Sequence, residues 1–508
     1  MISEAASRTS RQVVLGLALA FLLAGLSAAS AAAAPADLAR SFGDSGTVTI
    51  EGPGGRTFPG DASARMATGP EDEVVVLFSD YSCPNEWECP TELTLARYDA
   101  AGNRDRAFNA QLTVLEGPER MPFDVAVGPD GKPVVAAYDS SGGEGGALRV
   151  FRFDRSGHLD PSFGGAGETT QPLRPGYSAP VAVVVQPDGK VVVTTEGSMV
   201  EGGQELRVAR YLADGTLDPG FGTGGITAMT LPTQTRPADV LLGPTGTITV
   251  GSPYCCVGGT TLFGEGFSVA RLLGDGRPDL GLAASGQVRF PTPGAAGLVE
   301  GIALAPDGGT FILFEERTET ISTVDNLVKL APDGSLDSSF GEGGRLRTYY
   351  RVGPVTPNAI AVDGQGRIVG AGSDQKIAAF RLLPNGTVDR TFNGGQRVRS
   401  RSAGRAIAIA LQSSGRVVVL GESGCCTARG FALVAFRAGS SRVRCQRHKA
   451  TIVGTAGVDE LVGTKHRDVI AALGGKDKVR GMGGADVICG GPGKDTLLGG
   501  PGQDQIRP

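Results

Sequence analysis

The chain has 508 residues, 79 of them Gly and 31 Pro, with 6% aromatics and a formal net charge of −5. That length exceeds one simple core and suits a large closed β-domain with an appendage, and the Gly content suits short strands joined by tight turns. The acidic balance excludes a general attraction to nucleic acid or anionic membrane.

Residues 1–36 read as a secretory signal peptide. Arg8 and Arg11 precede an apolar run, Val13 to Leu26, and small residues follow to Ala36. The run is short for a spanning helix, which needs about 20 apolar residues. Cleavage is expected within Ala29–Ala36; a retained N-terminal anchor is the alternative. No later segment is apolar enough to span a membrane. The protein is therefore expected to be secreted, free or held at the cell surface.

Eight cysteines, an even number in an exported chain, fit disulfides. They occur as Cys83/Cys89, Cys255/Cys256, Cys425/Cys426 and Cys445/Cys489. Eight cysteines allow about 105 pairings, so spacing alone does not fix them. Cys83–Cys89 and Cys445–Cys489 are the favoured bridges. The two vicinal pairs either close strained rings or pair elsewhere.

Residues 37–440 carry a long repeat. The phrase Asp-x-x-Phe-Gly-x-x-Gly stands around Phe163, Phe221 and Phe340, with weaker copies at Phe42, Phe108, Leu280 and Phe392. The anchors lie 66, 55, 58, 59, 60 and 52 residues apart, the mark of a repeat architecture. Each unit also holds a hairpin such as VAVGPDGK (Val125–Lys132) and a third strand such as LRVARYL (Leu206–Leu212). Pro-Asp-Gly between β-branched runs is a hairpin signal. Four antiparallel strands per unit result. Third strands and Phe-Gly phrases both number seven, but out of phase: one phrase precedes the first unit and none follows Arg437. Gly46–Ile50 can therefore supply the last unit's fourth strand and seal a ring, which removes exposed edges. The expected fold is all-β: a seven-bladed β-propeller whose N-terminal strand closes the last blade, then a small parallel β-roll. The units resemble the delta-sixty repeat, a bacterial propeller repeat. That resemblance implies a fold and no agreed activity.

In residues 441–508 the period changes. Asp459, Asp468, Asp477, Asp486, Asp495 and Asp504 recur every nine residues, each followed two later by an aliphatic residue. Gly475, Gly484, Gly493 and Gly502 stand two before four of them. These units resemble the haemolysin-type (RTX) calcium repeat. The resemblance implies a parallel β-roll with two units per turn, Ca²⁺ as cofactor, and these Asp and Gly residues as its site. Residues 18 apart would stack about 4.8 Å apart, close enough to share an ion between layers. Ala472 and Leu473 replace the leading glycine pair of one unit, and His466 a turn glycine. A calcium-free roll stapled by Cys445–Cys489 is the alternative.

The turns after strands two and four of each unit share one end, and the long variable loops lie there. Variable loops on a rigid scaffold are where binding usually lives. Tyr81, Glu86, Trp87, Tyr254, Glu315, Glu316 and Arg317 form the candidate ligand face. No catalytic residue is assigned, because His158, the one propeller histidine, sits in a Gly turn at the opposite end. Three readings stay open: a non-enzymatic extracellular binding or adhesion protein, a passive surface protein, and a polysaccharide hydrolase or lyase using loop-face carboxylates. The ligand would be an extracellular polysaccharide or protein, not nucleic acid. Acids converging in the central mouth would favour the enzyme, and an aromatic patch the binding protein.

Overall fold

The structure, a computed structural model, describes residues 38–508 except 52–62, 82–90, 109, 115–122, 140–145, 174–179, 201–202, 232–238, 256–263, 318–322, 348–355, 424–429, 438–443, 451, 454–457 and 464–466. Residues 1–36, expected to be a signal peptide, therefore lie outside the described residues. So do Cys83, Glu86, Trp87, Cys89, Cys256, Cys425, Cys426 and His466.

Seven antiparallel four-stranded blades form a propeller. Their inner strands are Ala64–Thr68, Phe123–Val127, Pro180–Val185, Asp239–Leu242, the second half of Gln287–Leu304, Thr356–Val362 and Arg405–Leu411. Blades four and five share the 18-residue strand Gln287–Leu304, which is outer in one and inner in the next. The second strands explain why the sequence shows runs rather than alternation. Val74, Val75, Val76 and Leu77 are all fully buried, because blades pack on both faces of each sheet. β-Branched residues suit that pleated, two-sided burial.

The ring closes as the phase offset requires. Thr47–Ile50 pairs antiparallel with Gly430–Phe436, Thr47 opposite Val434 and Ile50 opposite Phe431. Blade seven is also tied to blade one directly. The Gln412 Nε2 donates to the Asp72 carbonyl at 2.8 Å, and an Arg416 guanidinium nitrogen to that of Ala100 at 2.6 Å.

The recurring phrase is the latch between blades. In blade two, Arg152 pairs with Asp160 at 2.9 Å and lies 4.8 Å from the Phe163 ring centroid. The Gly164 N–H then donates to the Asp214 carbonyl of the next blade at 2.8 Å. Arg210, Asp218, Phe221 and Gly222 repeat the arrangement toward Asp275. Gly43, beside Phe42, donates to Ala101, so the first phrase in the chain serves the last blade. One expectation needs correcting: Leu280 does not occupy the Phe position of its unit. Leu280 is 67% exposed, whereas Leu282 is buried in the Phe position, three residues after Asp279.

The tail is a two-sheet parallel roll. One sheet holds Ile452–Val453, Val469–Ala471, Val487–Cys489 and Gln505–Arg507, and the other Glu460–Val462, Lys478–Arg480 and Thr496–Leu498. Each strand pairs with the one 18 residues on, Leu461 with Val479 and Ile470 with Ile488. Those aliphatics fill the interior. A short hairpin, Arg444–Cys445 with His448–Lys449, brings Cys445 and Ala450 onto Val469, Ala471 and Val487 of the first sheet. The Cys445–Cys489 disulfide fastens it there.

Candidate functional site

Two places collect chemistry: the central channel and the edges of the roll. The inner strands run along the channel, a cavity of about 990 Å³. Each begins at the end where the loops after strands two and four meet. Its charged and amide lining is Arg65, Asp124, Asp239, Glu300, Asn358, Arg405 and Glu422. Arg65, Asp124 and Asp239 hold the same position in blades one, two and four: each stands opposite the fourth residue of its neighbour strand, Leu77, Ala136 and Gly251. Arg65, Asp124, Asp239, Asn358 and Arg405 stand within the first three residues of their strands and Glu422 next to the last of its own, and Asn358 holds Glu300 beside them, so the charges converge on one mouth.

The mouth is electrostatically strained. The Val183 N–H donates to Asp124 Oδ2 at 2.9 Å, and the Val240 N–H to Asp239 Oδ1 at 2.8 Å. Burial nevertheless pushes the Asp124 carboxyl up to about 6, with the Val183 bond and Arg65 pulling the other way. Asp239 is pushed up to about 7, by burial first and the Asp124 charge second. Asp239 therefore senses the Asp124 charge, and both carboxyls sense Arg65. Arg405 pairs with Glu422 at 3.4 Å. Asn358 donates to Glu300 at 3.5 Å, while its buried Oδ1 has no hydrogen-bond partner. A carboxyl pair of this kind can hold and release a proton near neutral pH.

The loop-face residues named from sequence fall differently. Tyr81 ends the strand Val74–Tyr81, and Tyr254 stands opposite Gly266 near the end of Ile248–Cys255. Glu315, Glu316 and Arg317 end the strand Thr310–Arg317, opposite Asp325, Val324 and Thr323. Their backbones lie at the mouth end; their side chains, like Glu86 and Trp87, lie outside the description. Loop length and motif spacing do not point to the channel acids, because these lie within short strands. A signal was available: Arg65, Asp124 and Asp239 each interrupt the start of an aliphatic inner strand.

In the roll the aspartates form ladders. Asp477 Oδ1 accepts the Asp459 N–H at 2.9 Å, and Asp495 Oδ1 the Asp477 N–H at 3.0 Å. On the other edge Asp486 accepts from Asp468 at 2.8 Å, and Asp504 from Asp486 at 2.9 Å. The second carboxylate oxygens of Asp477 and Asp486 are buried with no hydrogen-bond partner. The Asp486 oxygen faces a cradle that only glycine leaves open, whereas the matching position beside Asp477 is Ala472. A Cβ on Gly481 would stand 2.4 Å from Asp486 Oδ2 and 2.5 Å from the Gly499 carbonyl oxygen; one on Gly499 would stand 2.1 Å from Asp504 Oδ2. The residues present thus fit a hard cation that takes carboxylate and carbonyl oxygens. A Cβ on Gly493 or Gly502 would likewise meet the carbonyls of Gly475 and Gly484 one layer away. Burial raises the Asp477 carboxyl, and the Asp495 and Asp459 charges add to it. Among the described residues no three His, Cys, Asp or Glu side chains converge as a metal cluster.

Propeller and roll together define the class: a seven-bladed β-propeller followed by nonapeptide calcium-repeat sequence. Residues 128–163, 186–221, 320–340 and 366–392 match the β-propeller domain of unknown function DUF5122. Residues 451–479 and 472–506 match the RTX calcium-binding nonapeptide repeat, which is typical of secreted proteins. The matched propeller family does not bear the delta-sixty name. No curated protein matches the chain in sequence. Among solved structures, the chain is similar to the polysaccharide lyase Uly1, at 11% identity over 72% of this chain and 88% of that one, with a TM-score of 0.42. It is similar to the α-L-arabinanase of Penicillium chrysogenum complexed with arabinobiose, at 12% identity over 76% and 97%, TM-score 0.42. It is likewise similar to YCF48 bound to D1 peptide, at 12% over 77% and 97%, TM-score 0.41. Likenesses of this size carry no argument about ligand or activity. No helix among the described residues is long and apolar enough to cross a membrane.

Proposed function

We propose that this is an exported calcium-binding protein whose propeller, built of delta-sixty repeats, takes an extracellular ligand at the mouth of its channel. The observation that carries the calcium half is the buried, partnerless second oxygen of Asp477 and of Asp486. Asp459, Asp468, Asp477, Asp486, Asp495 and Asp504 would hold the ions together with turn carbonyls. Calcium supplies positive charge that lets stacked carboxylates lie one strand spacing apart. The chain's own part is to keep Gly481, Gly490 and Gly499 free of side chains at the ion's position.

The ligand half rests on the convergence of Asp124, Asp239, Arg65 and Asn358 on one cavity. Donors and acceptors in a cavity of that size suit a polyhydroxylated chain such as a polysaccharide. One observation favours a second reading, cleavage of that polysaccharide. Two acids with pKa values of about 6 and about 7 in one channel are poised for acid–base work at neutral pH. A glycan array probed with the calcium-loaded chain and with Asp124→Asn and Asp239→Asn tests both. Binding that the variants weaken supports the ligand site. Reducing-end release lost in Asp239→Asn, with binding kept, supports cleavage. Array binding and reducing-end release that neither variant alters would refute the mouth as the site.

A further inference from the structure

The outer strands of the blades are not alike in charge. Those of blades one, two, three and seven, Ala110–Val114, Glu168–Pro172, Ile226–Leu231 and Thr47–Ile50, hold one charged residue, Glu168. The consecutive blades four, five and six differ. Arg289 lies on blade four's outer strand, Arg345 and Arg347 on blade five's, and Arg399 and Arg401 on blade six's, with Arg397 just before it. No acid lies on these three outer-strand segments. Their cross-strand partners are neutral too: Ser268 opposite Arg289, Val328 opposite Arg345, Asn326 opposite Arg347, Ala378 opposite Arg399.

This is a cationic strip on a chain whose net charge is −5. Arg289, Arg347 and Arg401 are exposed. Arg345 reaches across the cleft to lie 5.2 Å from the Phe290 ring centroid of blade four, so the strip is continuous over that gap. The nearby acids do not cancel it. Glu342 stands in the turn before Arg345, and Asp374 takes both Arg397, at 2.8 Å, and Arg399. That shared carboxylate shows what these guanidinium groups accept. Along blade six, Arg397, Arg399 and Arg401 alternate with the buried Val398 and Ser400, so all three stand on the side away from those two, and the pairing with the third strand shifts register between Arg399 and Ala403. Planar guanidinium forks gathered along one edge match a polymer that carries many carboxylates.

We propose that the outer edge of blades four to six docks a carboxylated polysaccharide, a polyuronate chain lying across the blades. The surface is distinct from the channel mouth and does not depend on it. An exported chain with overall negative charge meets such polymers and is repelled from nucleic acid elsewhere on its surface.

The test is biolayer interferometry of the full chain on immobilised hyaluronan, with neutral dextran and double-stranded DNA as parallel surfaces. Binding to hyaluronan is expected at about 20 mM salt and its loss by about 300 mM, as screening shortens the field. The triple variant Arg289→Ser/Arg347→Ser/Arg401→Ser should bind about tenfold more weakly or worse, while the triple Lys variant should stay within about threefold of the parent. Thr230→Ser, on the uncharged outer strand of blade three, should bind hyaluronan as the parent does, which ties the binding to blades four to six. The Lys triple and the three single Ser variants keep the test informative if the triple Ser chain misfolds, each single giving a partial loss. No hyaluronan binding by the parent chain, an unaltered Ser triple, or equal or tighter binding to DNA would overturn the proposal.

Discussion

Ile50 and Phe431 stand opposite each other in adjacent strands although they lie near opposite ends of the propeller sequence. That pairing turns seven separate blades into one cooperative ring. Phe42, fully buried just before the closing strand, packs in the core between blades seven and one and lies beneath Arg416 at 5.8 Å.

Phe42→Ala should therefore cost about 3–5 kcal/mol, the range for a buried Phe. Deleting the chain through Ile50 should cost more and expose the edge of Gly430–Phe436, with aggregation as the visible sign. Chemical denaturation of both variants checks this. A loss under about 1 kcal/mol for Phe42→Ala would mean the ring closes without its latch.

Ala283 sits at φ +56°, where the matching residues of other units are Gly164, Gly222 and Gly341 at +61°, +53° and +56°. A Cβ in the left-handed region costs about 1 kcal/mol or more. Ala283→Gly should raise stability by about 0.5–1 kcal/mol, since the residue is exposed and its N–H already bonds the Asp333 carbonyl. A shift in denaturation midpoint measures it.

The channel carboxyls impose a pH dependence. An unfolded Asp ionises near pH 3.9, whereas folded Asp239 does so only at about 7. A raised acid pKa means that folding is penalised as pH rises from about 4 to about 7, and the penalty stays constant above that. Asp239→Asn keeps the acceptor for the Val240 N–H without the charge. It should match the parent at pH 4 and exceed its stability at pH 8 by about 1–2 kcal/mol, allowing for the residual solvent in the channel. Equal stability at both pH values would show that the carboxyl is solvated like any surface acid.

The Cys445–Cys489 bond closes a span of 44 residues and fastens the hairpin over the first roll sheet. Replacing both cysteines with Ser should cost the tail about 3–4 kcal/mol. Hydrogen exchange should report it as faster exchange of Val469–Ala471 and Val487–Cys489, with propeller strands unchanged. Uniform protection in both chains would show that the hairpin holds without the bond.

Much of this fold is written in periodicity. The Asp160–Phe163 and Asp218–Phe221 phrases recur because the same latch is needed at each blade junction. The nine-residue Asp period recurs because each layer of the roll repeats its neighbour. What sequence hid was whatever depends on the ring. Asp124 and Asp239 are 115 residues apart and look like ordinary strand-end polar residues. Only closure brings blades two and four around one cavity. Leu282 escaped notice for a local reason: Leu280 lies in the same apolar phrase, and only the turn geometry shows which of the two enters the core. The outer-strand arginines were legible one by one, but their alignment on consecutive blades required the blade order.

Isothermal calorimetry of residues 37–508 with calcium, alongside the double variant Asp477→Asn/Asp486→Asn, addresses the proposed chemistry of the tail without needing to know the ligand. The parent should take up about two to four ions saturably and melt at higher temperature than in chelator, and the variant should lose most of that heat. A parent chain that gives no binding heat and melts identically with calcium and with chelator would mean that these stacked carboxylates hold no ion.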